Sequence, residues 1–169
     1  QPLVARHIGR RIASIPTAKE ELAAAVKLLG TTKGEVRREL LAGIITGLEV
    51  HRSVAMPESW PAAYVSLKET RDERLAEQAL QLALIFDDPV ALESLRAQVL
   101  DTKTPPATRV RAIEALVAKK APAVDDLLVQ AVADEAVVRA ALRGLAEYDH
   151  PETAEVILKR YAQLAPAAR

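Results

Sequence analysis

The side chains able to do acid–base or metal chemistry are sparse and scattered. Three histidines, His7, His51 and His150, lie in separate segments, and none has a second histidine at the helical spacing that sets two ligands on one face. Lone imidazoles of this kind are expected at the surface or at helix ends. Ser14, Ser53, Ser59, Ser66 and Ser94 include no Gly-x-Ser-x-Gly elbow, so nucleophilic catalysis has no visible constellation. With no cysteine in the chain, a thiol nucleophile, a disulfide, a cysteine-held zinc or iron–sulfur site and a covalently attached haem are all excluded. Six glycines form neither a Gly-x-Gly-x-x-Gly loop nor a Walker loop. No catalytic, cofactor-binding or metal-binding residue is therefore expected in this segment.

What remains points to packing. Gly43 and Gly47, four apart, should let a neighbouring helix approach closely. Trp60, Tyr64, Phe86, Tyr148 and Tyr161 are the only aromatics. Phe86 and Tyr161 fall on apolar stripes and Trp60 at a helix start, so packing rather than partner recognition is expected of these three.

The elements that must carry these residues are helical. Half of the 169 residues are hydrophobic but only 3% are aromatic, so burial rests on Leu, Ala, Val and Ile, a composition that favours helices. The length suits one domain spanning 1–169. Prolines at 16, 57, 61, 89, 105, 106, 122, 151 and 166 punctuate the chain and read as helix starts, because proline tolerates the first turn and breaks an interior. Between them apolar residues recur at three and four, as in Leu75, Ala79, Leu82, Ala83 and Phe86. Thr17, Ser59, Asp72, Asp88 and Asp134 stand where caps belong. This predicts about ten short helices.

Charge cancels overall, twenty-three basic residues against twenty-three acids, which disfavours a dedicated electrostatic binder. Residues 1–56 nevertheless hold nine basic groups and five acids. That excess leaves open a nucleic-acid-binding alternative at the N-terminal end, although interleaved glutamates suit a solvated surface better. The longest apolar run, Leu40 to Leu48, is broken by Thr46 and two glycines and falls short of the ~20 residues a membrane span needs. The chain opens Gln1-Pro2-Leu3 and closes Ala167-Ala168-Arg169, and is read as a piece of a larger protein.

Internal repetition is present. Setting Leu41, Leu80, Ile113 and Leu142 in register, at spacings of 39, 33 and 29 residues, aligns Glu39 to Ile44, Gln78 to Ala83, Arg111 to Leu116 and Ala140 to Leu145. Alanine precedes the register residue in three of the four copies, allowing close helix approach. Each copy would be a helix pair that buries its apolar face against the next. Leu3 to Ser14 reads as the surviving half of a truncated pair.

The sharpest copy runs Asp134-Glu135-Ala136-Val137-Val138-Arg139-Ala140-Ala141-Leu142, followed by Pro151-Glu152-Thr153-Ala154. It resembles HEAT-like repeats of the phycobilisome-lyase type. Gly34 to Leu41 looks like a more divergent copy. The phrases Ala5 to Arg11, Met56 to Pro61, Ala83 to Pro89 and Leu145 to Pro151 are similar to the HEAT-repeat segment of large bacterial putative membrane-bound dehydrogenases. That family carries a sorbosone-dehydrogenase-like β-propeller before the repeats and a c-type cytochrome domain after them. The resemblance implies redox neighbours in the same polypeptide and a periplasmic or cell-envelope location. It transfers no catalytic residue to this segment.

The resulting expectation is an all-α, right-handed α-α superhelix of about five antiparallel helix pairs, a HEAT-like solenoid. Aligning Leu95, Leu127 and Ile157 in its second helices puts Leu92, Val124 and Ala154 on the buried stripe and Glu93, Asp125 and Glu155 opposite. Gln98, Gln130 and Arg160 extend this polar row, which would line a groove for a protein partner or a flanking domain. A non-catalytic scaffold is the reading favoured here. Besides nucleic-acid binding, the alternative is a HEAT-like lyase or glycosylase, which the shortage of aromatics disfavours.

Overall fold

A computed structural model describes residues 1–51, 54–148, 154–155 and 158–159. Among them are nine helices and no strand: α1 (Pro2–Ala13), α2 (Lys19–Thr31), α3 (Gly34–Leu48), α4 (Trp60–Lys68), α5 (Glu73–Ile85), α6 (Pro89–Leu100), α7 (Pro106–Lys119), α8 (Val124–Ala131) and α9 (Val138–Leu145). Proline stands in the first turn of α1, α4 and α7, where its missing N–H leaves no bond unmade. The chain divides into two compact units, Gln1–Asp88 and Pro89–Arg169.

In the first unit α1 packs on α3 and α3 on α5, while α2 packs on α4. Two layers result. Helix α1 lies in the layer of α3 and α5, and α2 in that of α4. The α1–α3 seam is made by glycine. A Cβ on Gly43 would overlap the Arg6 carbonyl, one on Gly47 would lie 2.5 Å from the Arg10 carbonyl oxygen, and one on Gly9 2.8 Å from that of Leu40. The closeness that the Gly43/Gly47 spacing predicts is thus an approach of two backbones. Between the layers Trp60, Tyr64 and Phe86 are buried, with Trp60 stacked on Tyr64 at 5.1 Å and edge-on to Phe86 at 5.2 Å. The Trp60 indole donates to Asp88 Oδ2 at 2.7 Å, which satisfies a polar N–H inside an apolar cluster.

In the second unit α7 packs on α9 and α6 on α8, with Leu95, Ile113, Leu116, Leu128 and Leu145 in its core. Gly144 lies against Val117 and Leu128.

Two helix ends share one geometry. After α5, Asp87 takes a left-handed φ of 54° and the Asp88 N–H donates to the Ala83 carbonyl at 2.9 Å. After α7, Lys120 takes φ 51° and the Ala121 N–H donates to Leu116 at 3.1 Å. Both are Schellman closures, set 33 residues apart like Leu80 and Ile113.

The caps divide. Asp72 caps α5, accepting from the Leu75 N–H at 3.2 Å. Ser59 stands at the start of α4 but does not cap it; its hydroxyl donates to the Ala23 carbonyl of α2 at 2.8 Å. Thr17 gives way to Ala18 at the head of α2, with no side-chain bond. Asp134 accepts from the Ala136 N–H at 2.9 Å, closing the turn before α9 rather than the helix itself.

Candidate functional site

Two buried arginines organise the polar interior, and they share one offset from the repeat register. Arg37 and Arg109 stand four residues before the register residues Leu41 and Ile113 and are 7% and 3% exposed. Arg37 Nε donates to the Leu29 carbonyl at 2.7 Å and Nη2 to Ser66 Oγ at 2.6 Å. Arg109 Nε donates to the Val99 carbonyl at 2.9 Å, and Nη2 meets Asp134 Oδ2 at 2.7 Å. Each cation therefore sits at the negative end of the preceding helix, α2 or α6, and takes up a carbonyl that the helix leaves unpaired. Burial lowers the Arg37 pKa from its ordinary value. The Asp134 carboxyl is held below the usual carboxylate value, first by the Ala136 N–H and then by the Arg109 hydrogen bond. These are positioning residues, and periodicity alone does not find them because arginine at a helix start normally reads as surface.

The polar row expected from the sequence is distributed as follows. Beneath it Leu92, Leu95, Val124 and Leu127 are buried. On α6, Glu93 is exposed and paired with Arg96 at 3.7 Å, while Gln98 is half-buried. On α8, Asp125 is half-buried, and Gln130 is exposed with its amide donating to the Asp126 carbonyl at 3.4 Å. Glu155 is exposed. Ala154, expected on the buried stripe, is exposed too, since nothing among the described residues covers it. Arg160, Ile157, Tyr161 and His150 lie outside the described residues. Arg96 also donates to the Pro122 carbonyl, so a cation stands among the acids and the row is mixed in sign. Tyr148, which the sequence leaves unassigned, borders it. Burial, and then the charges of Glu147 and Asp125, raise the phenol pKa. Its hydroxyl is buried without a hydrogen-bond partner among the described residues.

The N-terminal basic excess is partly consumed inside the fold. Arg37 is buried, Arg6 pairs with Glu39 at 3.6 Å and Arg38 with Asp72 at 3.1 Å. Arg37 is thereby withdrawn from a phosphate-facing array, while Arg6 and Arg38 stay half-exposed beside their acids. His7 is exposed on α1. His51 is half-buried, with Nε2 3.0 Å from the Ala13 carbonyl. It borders a cavity of about 670 Å³ between the α1–α2 turn and residues 54–58, lined by Ile15, Leu22, Leu48, Met56, Lys19 and Glu20 among others. Periodicity gives no sign of this cavity, because it forms where residues 54–58, outside any helix, meet the α1–α2 turn. Among the described residues no group of three His, Cys, Asp or Glu is arranged to hold a metal ion. No helix among them is long and apolar enough to cross a membrane.

Comparison with family models, with curated proteins and with solved structures gives no match.

Proposed function

We propose that the chain is a stretch of HEAT-like α-solenoid, a right-handed superhelix of about five helix pairs, acting as a non-catalytic scaffold. It docks a protein, or a neighbouring domain of its own polypeptide, along the polar faces of α6 and α8. The observation that carries this reading is the outward row Glu93, Gln98, Asp125 and Gln130 on two helices of one layer, over the buried Leu92, Leu95, Val124 and Leu127. The recurring arginine clamps and the paired Schellman turns support the repeat class. Charged residues in such a row contribute specificity and association rate more than affinity. Following the resemblance, the docked domains are redox domains, and the location is periplasmic or at the cell envelope.

Two measurements test this. A blot of the source cells with an antibody to the segment, stained also for covalent haem, should show a much larger, haem-positive, envelope-associated band. A haem-free band near 18.3 kDa would remove the redox setting. Reversing Glu93, Asp125 and Glu155 to lysine should weaken capture of the flanking domains at least about tenfold with helicity unchanged. Undiminished capture would remove the polar row from the docking surface.

A further inference from the structure

The cavity between the α1–α2 turn and residues 54–58 has the size and lining of a small-molecule site. Its volume is about 670 Å³, within the roughly 300–1,000 Å³ of such sites, and it lies wholly in the first unit. Ile15, Leu22, Leu48, Val54, Met56 and Pro57 make much of its wall, and no aromatic side chain lines it. Leu22 and Leu48 are buried, whereas Ile15 and Met56 reach solvent, 36% and 38% exposed. The wall opposite α2 is held in place. The Ser59 hydroxyl donates to the Ala23 carbonyl of α2 at 2.8 Å, and the Trp60 N–H to the Pro57 carbonyl at 2.9 Å. A site ordered in advance gives up little further freedom when it is filled.

The polar groups of the lining decide what kind of molecule fits. Lys19, Glu20 and Glu58 border the cavity and are exposed, so each is hydrated and offers a ligand little net attraction. His51 is half-buried. Its Nε2 lies 3.0 Å from the Ala13 carbonyl, and a carbonyl only accepts, so Nε2 carries the proton and Nδ1 of the neutral ring keeps its lone pair. Nδ1 has no hydrogen-bond partner among the described residues. The lining thus offers a hydrogen-bond acceptor and no buried charge. A charged ligand would shed water here without a buried counter-charge, and an aromatic one would find no ring to stack on. We infer that the cavity binds an uncharged aliphatic molecule whose hydroxyl donates to His51 Nδ1 and whose chain lies against Leu22, Leu48 and Met56. This site is separate from the polar row of α6 and α8 and does not depend on what that row docks.

The test titrates the full chain with 1-octanol, with its isomer dibutyl ether, which has no donor, and with octanoate and octylammonium. Met56 is the only methionine of the sequence, so a 13C-methyl label on it reports from the cavity wall. 1-Octanol should shift that signal saturably, with half-saturation below about 1 mM. Dibutyl ether should bind at least about threefold more weakly, and octanoate and octylammonium at least about tenfold. Ala55→Phe, at an exposed position of the lining, should fill the space and lower the affinity for 1-octanol at least about tenfold with circular dichroism unchanged. His51→Leu should level the alcohol and the ether. No saturable shift with 1-octanol, or undiminished binding by Ala55→Phe, would overturn the site itself. Tighter binding of octanoate or octylammonium would overturn the uncharged class. Equal binding of alcohol and ether by the wild type, or a preference that survives in folded His51→Leu, would remove His51 as the acceptor; the wild-type comparison decides this even if that variant does not fold.

Discussion

Arg109 joins two parts of the second unit, the end of α6 and the turn before α9. It is buried, closes the end of α6 through the Val99 carbonyl and meets Asp134. Truncation would leave the buried Val99 carbonyl without its donor and take one partner from the partly exposed Asp134, a loss of about 1–3 kcal/mol. Arg109→Ala should lower the melting temperature by roughly 2–12 °C for a chain of this length. Arg109→Lys should recover little of that, because an ammonium cannot span both acceptors as the guanidinium fork does. Thermal melts followed by circular dichroism check both. The pair also sets a pH dependence. Asp134 titrates below its ordinary value in the fold, so its contribution is fully present above the unfolded-chain value, near about 4. It disappears as pH falls through the lower folded value. The stability gap between wild type and Asp134→Asn should therefore be full at neutral pH, begin to narrow below about pH 4, and close at the acid end. A gap that stays constant into strong acid would show that shape, not charge, is what the substitution removes.

At the scale of the helices, two glycines of similar appearance should respond in opposite ways. At Gly43 an added methyl meets the backbone of α1, which cannot rotate aside, whereas at Gly30 it meets only Ala63, its Cα 3.6 Å away. Gly43→Ala should destabilise by about 1–3 kcal/mol through overpacking, and Gly30→Ala should stabilise by about 0.5–1 kcal/mol through the ordinary helix preference for alanine. Denaturant titration of both variants decides it; a stable Gly43→Ala would mean that α1 can move off α3. This contrast also marks where the sequence is legible. The Gly43/Gly47 spacing announces a close approach, and the prolines and three–four periodicity announce the helices, because backbone restriction and burial act locally. The fate of Ser59 is not local. Its hydroxyl could cap α4 or reach Ala23, and only the placement of α2 against α4 decides between them. Arg37 and Arg109 were hidden for the same reason, since their acceptors Leu29 and Val99 lie eight and ten residues away at the ends of other helices.

Over the whole chain, the repeat register links features that composition leaves apart: the clamps at Arg37 and Arg109, and the turns at Asp87 and Lys120. The candidate docking row was legible in outline, because outward positions on an amphipathic helix follow from the buried ones. Its sign was not, because Arg96 enters it from the same helix to reach Pro122. The division into two compact units was not legible either, since helices of similar periodicity run through residue 88 without a change of composition. That division has a measurable consequence. Trp60 is the only tryptophan, and its partners Tyr64, Phe86 and Asp88 all belong to the first unit. Its fluorescence therefore reports on that unit, while far-ultraviolet circular dichroism reports on every helix. In arrays whose elements contact only near neighbours, a lesion in one place need not unfold the rest. Urea unfolding of Arg109→Ala, followed by both signals, should thus show a lowered midpoint in dichroism and a nearly unchanged one in Trp60 fluorescence. Midpoints that fall together would mean that the two units unfold as one cooperative body, with the cost of losing the Arg109 clamp shared along the chain.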